Sequence, residues 1–253
     1  MDADTTHTTD MLRRTLALAI ESKAAMLSGF PRQLATSLSQ KIAIPLMYFI
    51  VLSWAPLWWL HRSRKLLASV AIGQFLLFPV DVYWRMGGHA AVKSRIIEDV
   101  WLGVEVSRHG GRHLAVDLSP VVSCHMYDDL GATWEGFVKW TYSVSALSTT
   151  ALIGLVLVGY MSFLAPFYWL WKEVFVLTSP PIWGPLVIFQ VAVLFIMRWL
   201  IDSRFKESPV SALLHPLGMT FLVAAALYGM ARQVAGVGVS WKKRVYGKAS
   251  NIE

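Results

Sequence analysis

Three long apolar runs in the C-terminal half restrict the possible folds of this chain more than any other feature. A helix needs about 20 apolar residues to cross the hydrocarbon core of a bilayer. The runs cover residues 147–170, 181–201 and 213–230, and the first contains no charged residue. Aromatic rings, which favour the membrane interface, end the first run at Phe167, Tyr168, Trp169 and Trp171. The pattern therefore predicts about three C-terminal transmembrane helices.

The overall composition also favours a membrane protein. Of the residues, 55% are hydrophobic and only 15% are charged, whereas soluble domains carry about 25% charged residues. The net charge of +7 is spread along the chain, which favours anionic lipid headgroups or a phosphate-bearing substrate over nucleic acid. Cys124 is the only cysteine, so an internal disulfide and a cysteine metal cluster are excluded. Its neighbours His113 and His125 fit no zinc-site spacing.

A fourth apolar stretch, residues 42–60, has two interpretations. Pro45 and Pro56 each remove a backbone donor and interrupt a helix, so we expect two short helices in the membrane interface. A full crossing is the alternative. Three crossings from a cytoplasmic catalytic part would place the basic tail outside, against the positive-inside tendency.

The region before residue 140 alternates between helical and strand-like patterns. Apolar residues recur at helical spacing in MLRRTLALAIESKAAML, while VDVYWRMGG and EDVWLGVEVSRHGG are helical segments that end in glycine pairs. Short strand-like runs are AAMLSGF, ASVAIGQFLLF, RHLAVDL and VVSCHMY. This order predicts an α/β fold, although the small number of strands indicates an incomplete one.

Two carboxylates, Asp2 and Asp4, stand one residue apart at the start of the chain. A turn beside a strand could aim them at a metal ion, since Mg²⁺ and Mn²⁺ typically bind one or two carboxylates plus substrate phosphates. The alternative is an acidic tail with an N-cap ahead of the helix that starts near Met11. Taken alone, so common a motif favours the tail.

Glu98 and Asp99 open the predicted helix EDVWLGVEVSR. Acidic residues often cap helices and interact favourably with the helix dipole, which is the simpler interpretation. The other is a general base that removes a proton from an acceptor hydroxyl. The nearby pair Gly87-Gly88 also has two interpretations. It ends a helix and does nothing more, or it lets the backbone approach a ligand, with His89 as a hydrogen-bond donor.

Residues 126–145 form a predicted amphipathic helix suited to lie on the bilayer. Its apolar face holds Leu130, Trp134, Phe137 and Val138. The tail at 237–253 joins Trp241 to Lys242, Lys243 and Arg244, and anchoring at the membrane edge is a sufficient explanation for it.

The order of these motifs resembles the membrane-bound family 2 glycosyltransferases, in particular the enzymes that glycosylate carotenoids, hopanoids and other lipids. The resemblance covers nearly the whole chain and rests on DADT-x-H, LSGFPRQ, GQFLLF, YWRMGGH, IIEDVWLG, WEGFVKW and the W-K-x-R-x-Y tail. It implies an incomplete GT-A-like half at 1–125, an interfacial helix at 126–145, transmembrane helices at 146–236 and a basic tail. It also implies that about a hundred residues of a full-length enzyme are missing before Asp2.

The same resemblance implies roles for individual residues. Asp2 and Asp4 would hold Mn²⁺ or Mg²⁺ against the diphosphate of a nucleotide sugar, Asp99 would be the general base with Glu98 as its orienting neighbour, and the loop Gly87, Gly88 and His89 would face the acceptor. Many relatives carry Q-x-x-R-W in the interfacial helix. Here Lys139 and Trp140 match it imperfectly, and the glutamine is absent.

We therefore expect an inverting glycosyltransferase, a multi-pass protein of the cell inner or plasma membrane with its catalytic part in the cytoplasm. Its partners would be a nucleotide sugar, expected to be UDP-linked, and a lipid or polysaccharide acceptor, with no nucleic acid. The alternative is a catalytically incomplete membrane fragment or scaffold that lacks the nucleotide-binding half.

Overall fold

The chain folds into two compact units in a computed structural model. Unit 1 consists of Met1–Ala35 and Tyr48–Met126, and unit 2 consists of Thr36–Met47 and Tyr127–Glu253. The structure describes residues 1–57, 60, 71–93, 95, 97–176, 182–241 and 244–246.

Helices make up most of the described chain, and short strands accompany them in both halves. The helices are α1 Met11–Glu21, α2 Leu38–Ala43, α3 Pro45–Trp54, α4 Val80–Arg85, α5 Glu98–Arg108, α6 Leu130–Leu147, α7 Thr149–Phe163, α8 Ala165–Phe175, α9 Trp183–Arg204, α10 Pro209–Leu213 and α11 His215–Val234, with a short 3₁₀ helix at Gly88–Val92. The strands are β1 Thr5–His7, β2 Met26–Phe30, β3 Arg32–Gln33, β4 Leu76–Leu77, β5 His113–Asp117, β6 Val122–Cys124, β7 Val239–Trp241 and β8 Arg244–Tyr246. The mixed α/β class predicted from the sequence is confirmed at this level.

Unit 1 contains two small sheets. One has the strand order β4-β2-β5, in which β2 runs parallel to β5 and antiparallel to β4. The other has the order β1-β6-β3, in which β6 is antiparallel to β1 and parallel to β3. In this second sheet Cys124 is the register partner of both Thr5 and Gln33. The residues directly after Asp4 are therefore part of a paired strand.

The core of unit 1 lies on both faces of the sheet β4-β2-β5. All five residues of β2 are buried, and neighbouring residues of a strand point to opposite faces. Accordingly, Leu27 packs in a cluster with Met11 at the start of α1. Met26 packs in another with Leu102 and Val106 of α5. The fold thus places α1 and α5 on opposite faces of this sheet.

Most helices and strands of unit 1 lie where local sequence patterns predict them. The helix predicted from EDVWLGVEVSR is α5, which ends just before Gly110, where φ is +72°. The helix of VDVYWRMGG is α4, followed by Gly87 at φ +82°. Positive φ values favour glycine, so both glycine pairs end their helices as predicted. The strand-like runs contain β2, β4, β5 and β6.

Among its described residues, unit 2 contains three helical segments that are long and apolar enough to cross a membrane, as predicted from the three apolar runs. They are Thr149–Phe175, Trp183–Arg204 and His215–Val234. The first is interrupted at Leu164, between α7 and α8. Pro166 follows the interruption, and proline cannot donate a backbone hydrogen bond within a helix.

The fourth apolar stretch begins as α2 and α3, which are separated at Ile44 and stop before Pro56. Its residues 58 and 59 lie outside the described residues. The described part is not among the helices long enough to span a bilayer. Whether it lies in the membrane interface stays a prediction.

The predicted amphipathic helix is α6, which Asp129 caps by accepting a hydrogen bond from the Ala132 amide at 2.7 Å. Its apolar side packs on α11. The Trp134 and Phe137 rings contact the Phe221 ring with centroids 5.3 and 5.5 Å apart, and Thr141 Oγ1 donates to the Ala225 carbonyl at 3.0 Å. Its predicted position on the bilayer surface is untested.

Candidate functional site

Asp2 and Asp4 lie in a turn that leads directly into β1. The Asp2 carbonyl accepts hydrogen bonds from the Thr5 amide at 3.3 Å and from the Thr5 hydroxyl at 2.6 Å. The Asp4 carbonyl accepts from the His125 amide at 3.0 Å, beyond the end of β6. Asp2 is exposed and Asp4 is half-buried. The D-x-D segment is thus an ordered turn held by the sheet β1-β6-β3.

The alternative interpretation places an N-cap ahead of the helix that starts near Met11, and the structure has that helix as α1, Met11–Glu21. The residue at the N-cap position of α1 is Asp10. Its Oδ1 accepts a hydrogen bond from the Thr8 hydroxyl at 2.7 Å. This bond, assisted by the nearby Arg14 guanidinium, lowers the pKa of Asp10 below its usual value. The acidic start of α1 is therefore provided by a residue outside the D-x-D turn.

Asp99 lies in the first turn of α5, and both of its carboxylate oxygens accept backbone hydrogen bonds. Oδ1 accepts from the Val100 amide at 2.9 Å, and Oδ2 accepts from the Gly73 amide at 2.8 Å. A carboxylate oxygen has two lone pairs and can accept more than one hydrogen bond. Asp99 is half-buried, whereas its neighbour Glu98 is exposed.

The segment Ile72–Gln74 brings the D-x-D turn and Asp99 together. The Gly73 amide donates to Asp99, and the carbonyl of the next residue, Gln74, accepts from the Asp2 amide at 3.3 Å. Ile72 is held as well, because its amide donates to the Ser28 hydroxyl at 3.3 Å. Two motifs that are distant in sequence therefore bond to two consecutive residues of one segment.

The glycines of the predicted acceptor loop are required by its geometry. Gly87 and Gly88 have φ values of +82° and +53°, and a Cβ on Gly88 would lie 2.6 Å from the Tyr83 ring. The Tyr83 hydroxyl is bound to His89, 2.7 Å from Nδ1 and 3.1 Å from the backbone amide. The His89 side chain is exposed. The loop is therefore folded around Tyr83 and presents the imidazole at the surface.

Lys139 and Trp140 belong to α6 in unit 2, whereas the other predicted site residues belong to unit 1. Lys139 is half-buried, and Trp140 is 39% exposed. Their proposed role at the diphosphate therefore stays a prediction.

The chemistry of the D-x-D turn fits a divalent cation that a substrate helps to hold. Within the described ranges, no group of three His, Cys, Asp or Glu side chains could bind a metal ion by itself. Asp2 and Asp4 supply two carboxylates, which is the usual protein share of a Mg²⁺ site completed by phosphate oxygens. The two carboxylates are chemically compatible with such a site, and that they hold a metal ion stays a prediction.

A buried ion pair inside the second candidate membrane span was not predicted from the sequence. Arg198 and Asp202 are both buried, and Arg198 Nε donates to Asp202 Oδ2 at 3.0 Å. Arg198 Nη2 also donates to Ser211 Oγ in α10 at 2.6 Å. In the sequence, both residues were interpreted as charges at the end of the apolar run. Their i,i+4 spacing on a helix could have indicated an ion pair, because side chains at this spacing are neighbours.

Comparison with known proteins gives no assignment, since no protein-family model, curated protein or solved structure matches the chain. The resemblance to glycosyltransferases rests on the motifs themselves.

Proposed function

We propose that this protein is an inverting glycosyltransferase that moves a sugar from a nucleotide-diphosphate sugar to a membrane lipid or polysaccharide acceptor. One observation carries the proposal. The Asp99 carboxylate accepts a hydrogen bond from Gly73, and the D-x-D turn donates one to the next residue, Gln74. A transferase of this kind needs its diphosphate-binding carboxylates close to the base that activates the acceptor. The three candidate membrane spans support an acceptor that resides in the bilayer.

In this proposal each group has a defined task. Asp99 accepts the proton of the acceptor hydroxyl on one of its carboxylate oxygens, each of which also accepts a backbone amide bond. The hydroxyl oxygen then forms a bond to the anomeric carbon while the bond to the diphosphate oxygen breaks. Asp2 and Asp4 would hold Mn²⁺ or Mg²⁺, which stabilises the negative charge of the leaving nucleoside diphosphate. The fixed amide bonds to Asp99 keep its carboxylate oriented during the proton transfer.

The loop at Gly87, Gly88 and His89 is the proposed acceptor side. Its exposed imidazole can donate to or accept from a hydroxyl, and the Tyr83 hydroxyl at Nδ1 limits how the ring can turn. The resemblance gives Lys139 and Trp140 of α6 a role at the diphosphate or the acceptor, and this role stays a prediction. The donor is proposed to be a UDP-sugar, and the catalytic part is proposed to face the cytoplasm.

The metal site gives the first test. The full chain in lipid nanodiscs is assayed for transfer of radiolabelled sugar from a panel of UDP-sugars to membrane lipids, with and without Mn²⁺. We expect Mn²⁺-dependent transfer that falls about 100-fold or more in Asp2→Asn and Asp4→Asn, because electrostatic stabilisation of a leaving group is usually a large catalytic term. Asp10→Asn, which changes a nearby carboxylate outside the turn, is the matched control. Equal losses in all three variants would contradict the assignment.

A non-catalytic membrane scaffold is the second candidate, and one observation favours it. Both Asp99 oxygens are already bonded to backbone amides, which is also what a purely structural carboxylate does at a helix start. A scaffold would show no Mn²⁺-dependent transfer, and Asp99→Asn would alter only its stability.

A further inference from the structure

We infer that Gln74 is a positioning residue that fixes the D-x-D turn relative to Asp99. The inference deepens the proposed function and rests on it. Gln74 precedes β4 by two residues, and neither the motifs nor the mechanism assigns it a task. Its side chain is only 3% exposed, so the amide must find its hydrogen-bond partners inside unit 1.

The side chain of Gln74 joins the two sheets of unit 1. Its Nε2 donates to Cys124 Sγ at 2.8 Å, and its Oε1 accepts from Gln33 Nε2 at 3.0 Å. Gln33 and Cys124 are register partners in β3 and β6, whereas Gln74 itself leads into β4 of the other sheet. One amide group therefore bonds to two adjacent strands of the opposite sheet.

The backbone around Gln74 holds the two parts of the proposed site. Its carbonyl accepts from the Asp2 amide at 3.3 Å, and the preceding Gly73 amide donates to Asp99 Oδ2 at 2.8 Å. The D-x-D turn leads into β1, which pairs with β6. The turn thus follows the sheet β1-β6-β3, while Asp99 is attached to the segment that enters β4. The Gln74 side chain is a direct link between the two.

The link is part of a longer buried network. Gln33 Nε2 also donates to the Tyr48 hydroxyl at 2.7 Å, and that hydroxyl donates to the Pro31 carbonyl at 2.6 Å. Each group in such a network restrains its neighbours, because a buried polar group that loses its partner is costly. Gln74 suits its position because it offers one donor and one acceptor at the same end. Leucine offers neither, and glutamate offers only acceptors.

The chain contains a matched control. Gln40 is another buried glutamine, and its Nε2 donates to the Tyr127 carbonyl at 2.6 Å while its Oε1 accepts from the Thr36 amide at 2.7 Å. It lies in unit 2, whereas Asp2 and Asp99 belong to unit 1. Gln40→Leu therefore removes a comparable buried amide whose partners are in residues 36–37 and 127–128 rather than at Asp2, Gly73 or Asp99.

The test compares Gln74→Leu and Gln40→Leu in the full chain in nanodiscs. Residue-resolved hydrogen exchange follows the Gly73 amide, and alkylation follows Cys124, the only thiol. We expect Gln74→Leu to speed hydrogen exchange of the Gly73 amide about 10-fold, which corresponds to a modest shift in its local opening equilibrium. The same variant should raise the rate of Cys124 alkylation. The kcat for sugar transfer should fall about 10- to 100-fold with KM nearly unchanged, because small misplacements of reacting groups are this costly. Gln40→Leu should leave all three at wild-type values.

Equal effects of the two variants, or an unchanged Gly73 exchange rate in Gln74→Leu, would overturn the inference. Gln74→Glu covers the case in which Gln74→Leu does not fold. It keeps an acceptor for Gln33 but loses the donor to Cys124, so Cys124 reactivity should rise; an unchanged rate would also contradict the inference. If the wild-type chain transfers no sugar, the proposed function fails, while the exchange and alkylation results still decide whether Gln74 holds the two segments together.

Discussion

Gly229 tests the packing of unit 2, because it lies in a close contact between α11 and α6. A Cβ on Gly229 would lie 2.6 Å from Thr141 Oγ1, 3.0 Å from the Tyr142 amide nitrogen and 3.1 Å from the Val138 carbonyl oxygen. Ordinary contacts of a Cβ begin at 3.4 Å. The Thr141 hydroxyl could rotate, but it is hydrogen-bonded to the Ala225 carbonyl, and the other two atoms belong to the backbone. Alanine at this position therefore forces the helices apart.

The size of the effect follows from two opposing terms. Overpacking a close contact costs about 1–3 kcal/mol, whereas replacing glycine by alanine within a helix gains about 0.5–1 kcal/mol. We expect Gly229→Ala to destabilise the unit by about 1–2 kcal/mol in total. For a chain of this size that corresponds to a fall in Tm of roughly 2–8 °C.

The assay is thermal unfolding in detergent, followed by the fluorescence of the tryptophans. Gly154→Ala is the matched control, because a Cβ there meets nothing within 4 Å and only the helix-propensity gain remains. Its Tm should be equal to or higher than that of the wild type. If Gly229→Ala unfolds at the same temperature as Gly154→Ala, α6 and α11 are not in close contact at Gly229, and the prediction is contradicted.

Two further predictions concern stability. Arg198→Leu should destabilise the chain by about 3–5 kcal/mol because it strands a buried carboxylate, and adding Asp202→Leu should restore most of that loss in the same unfolding assay. Gly88→Ala should cost about 1–3 kcal/mol more than Gly110→Ala: both glycines have positive φ, but only at Gly88 would the new Cβ meet the Tyr83 ring. Equal losses in the paired variants would refute the corresponding contact.

Much of the fold could be predicted from the sequence because its signals are local. The three candidate membrane spans are defined by length and apolarity, and α5 is defined by its acidic first turn and the glycine after it. The strands β1 and β3 were missed, since three and two residues respectively are too few for an alternating pattern. The hairpin of β7 and β8 was read only as a basic tail.

The candidate site was predicted residue by residue, but its geometry was not. Asp2, Asp99 and the segment at Gly73 are far apart in sequence, so their hydrogen bonds cannot be predicted from a local pattern. The same holds for Gln74, because the hydrogen bonds of its side chain depend on which strands the fold places beside it. The interruption at Leu164 could have been read from Pro166, which stands within an otherwise continuous apolar run.

The most direct test of the account is sugar transfer by Asp99→Asn in the full chain, measured beside Glu98→Gln. Asp99 is the proposed base, and removing a general base typically costs about 10²–10⁴ in rate, whereas Glu98 is exposed at the same helix start. Asparagine can keep only one of the two amide bonds to Asp99, so the folded fraction of each variant is measured by thermal unfolding and used to correct the rates. The account predicts Mn²⁺-dependent transfer by the wild type, loss of at least about 100-fold in Asp99→Asn and a much smaller loss in Glu98→Gln, whose side chain would only orient the base. Corrected rates for Asp99→Asn that match those of the wild type would contradict it.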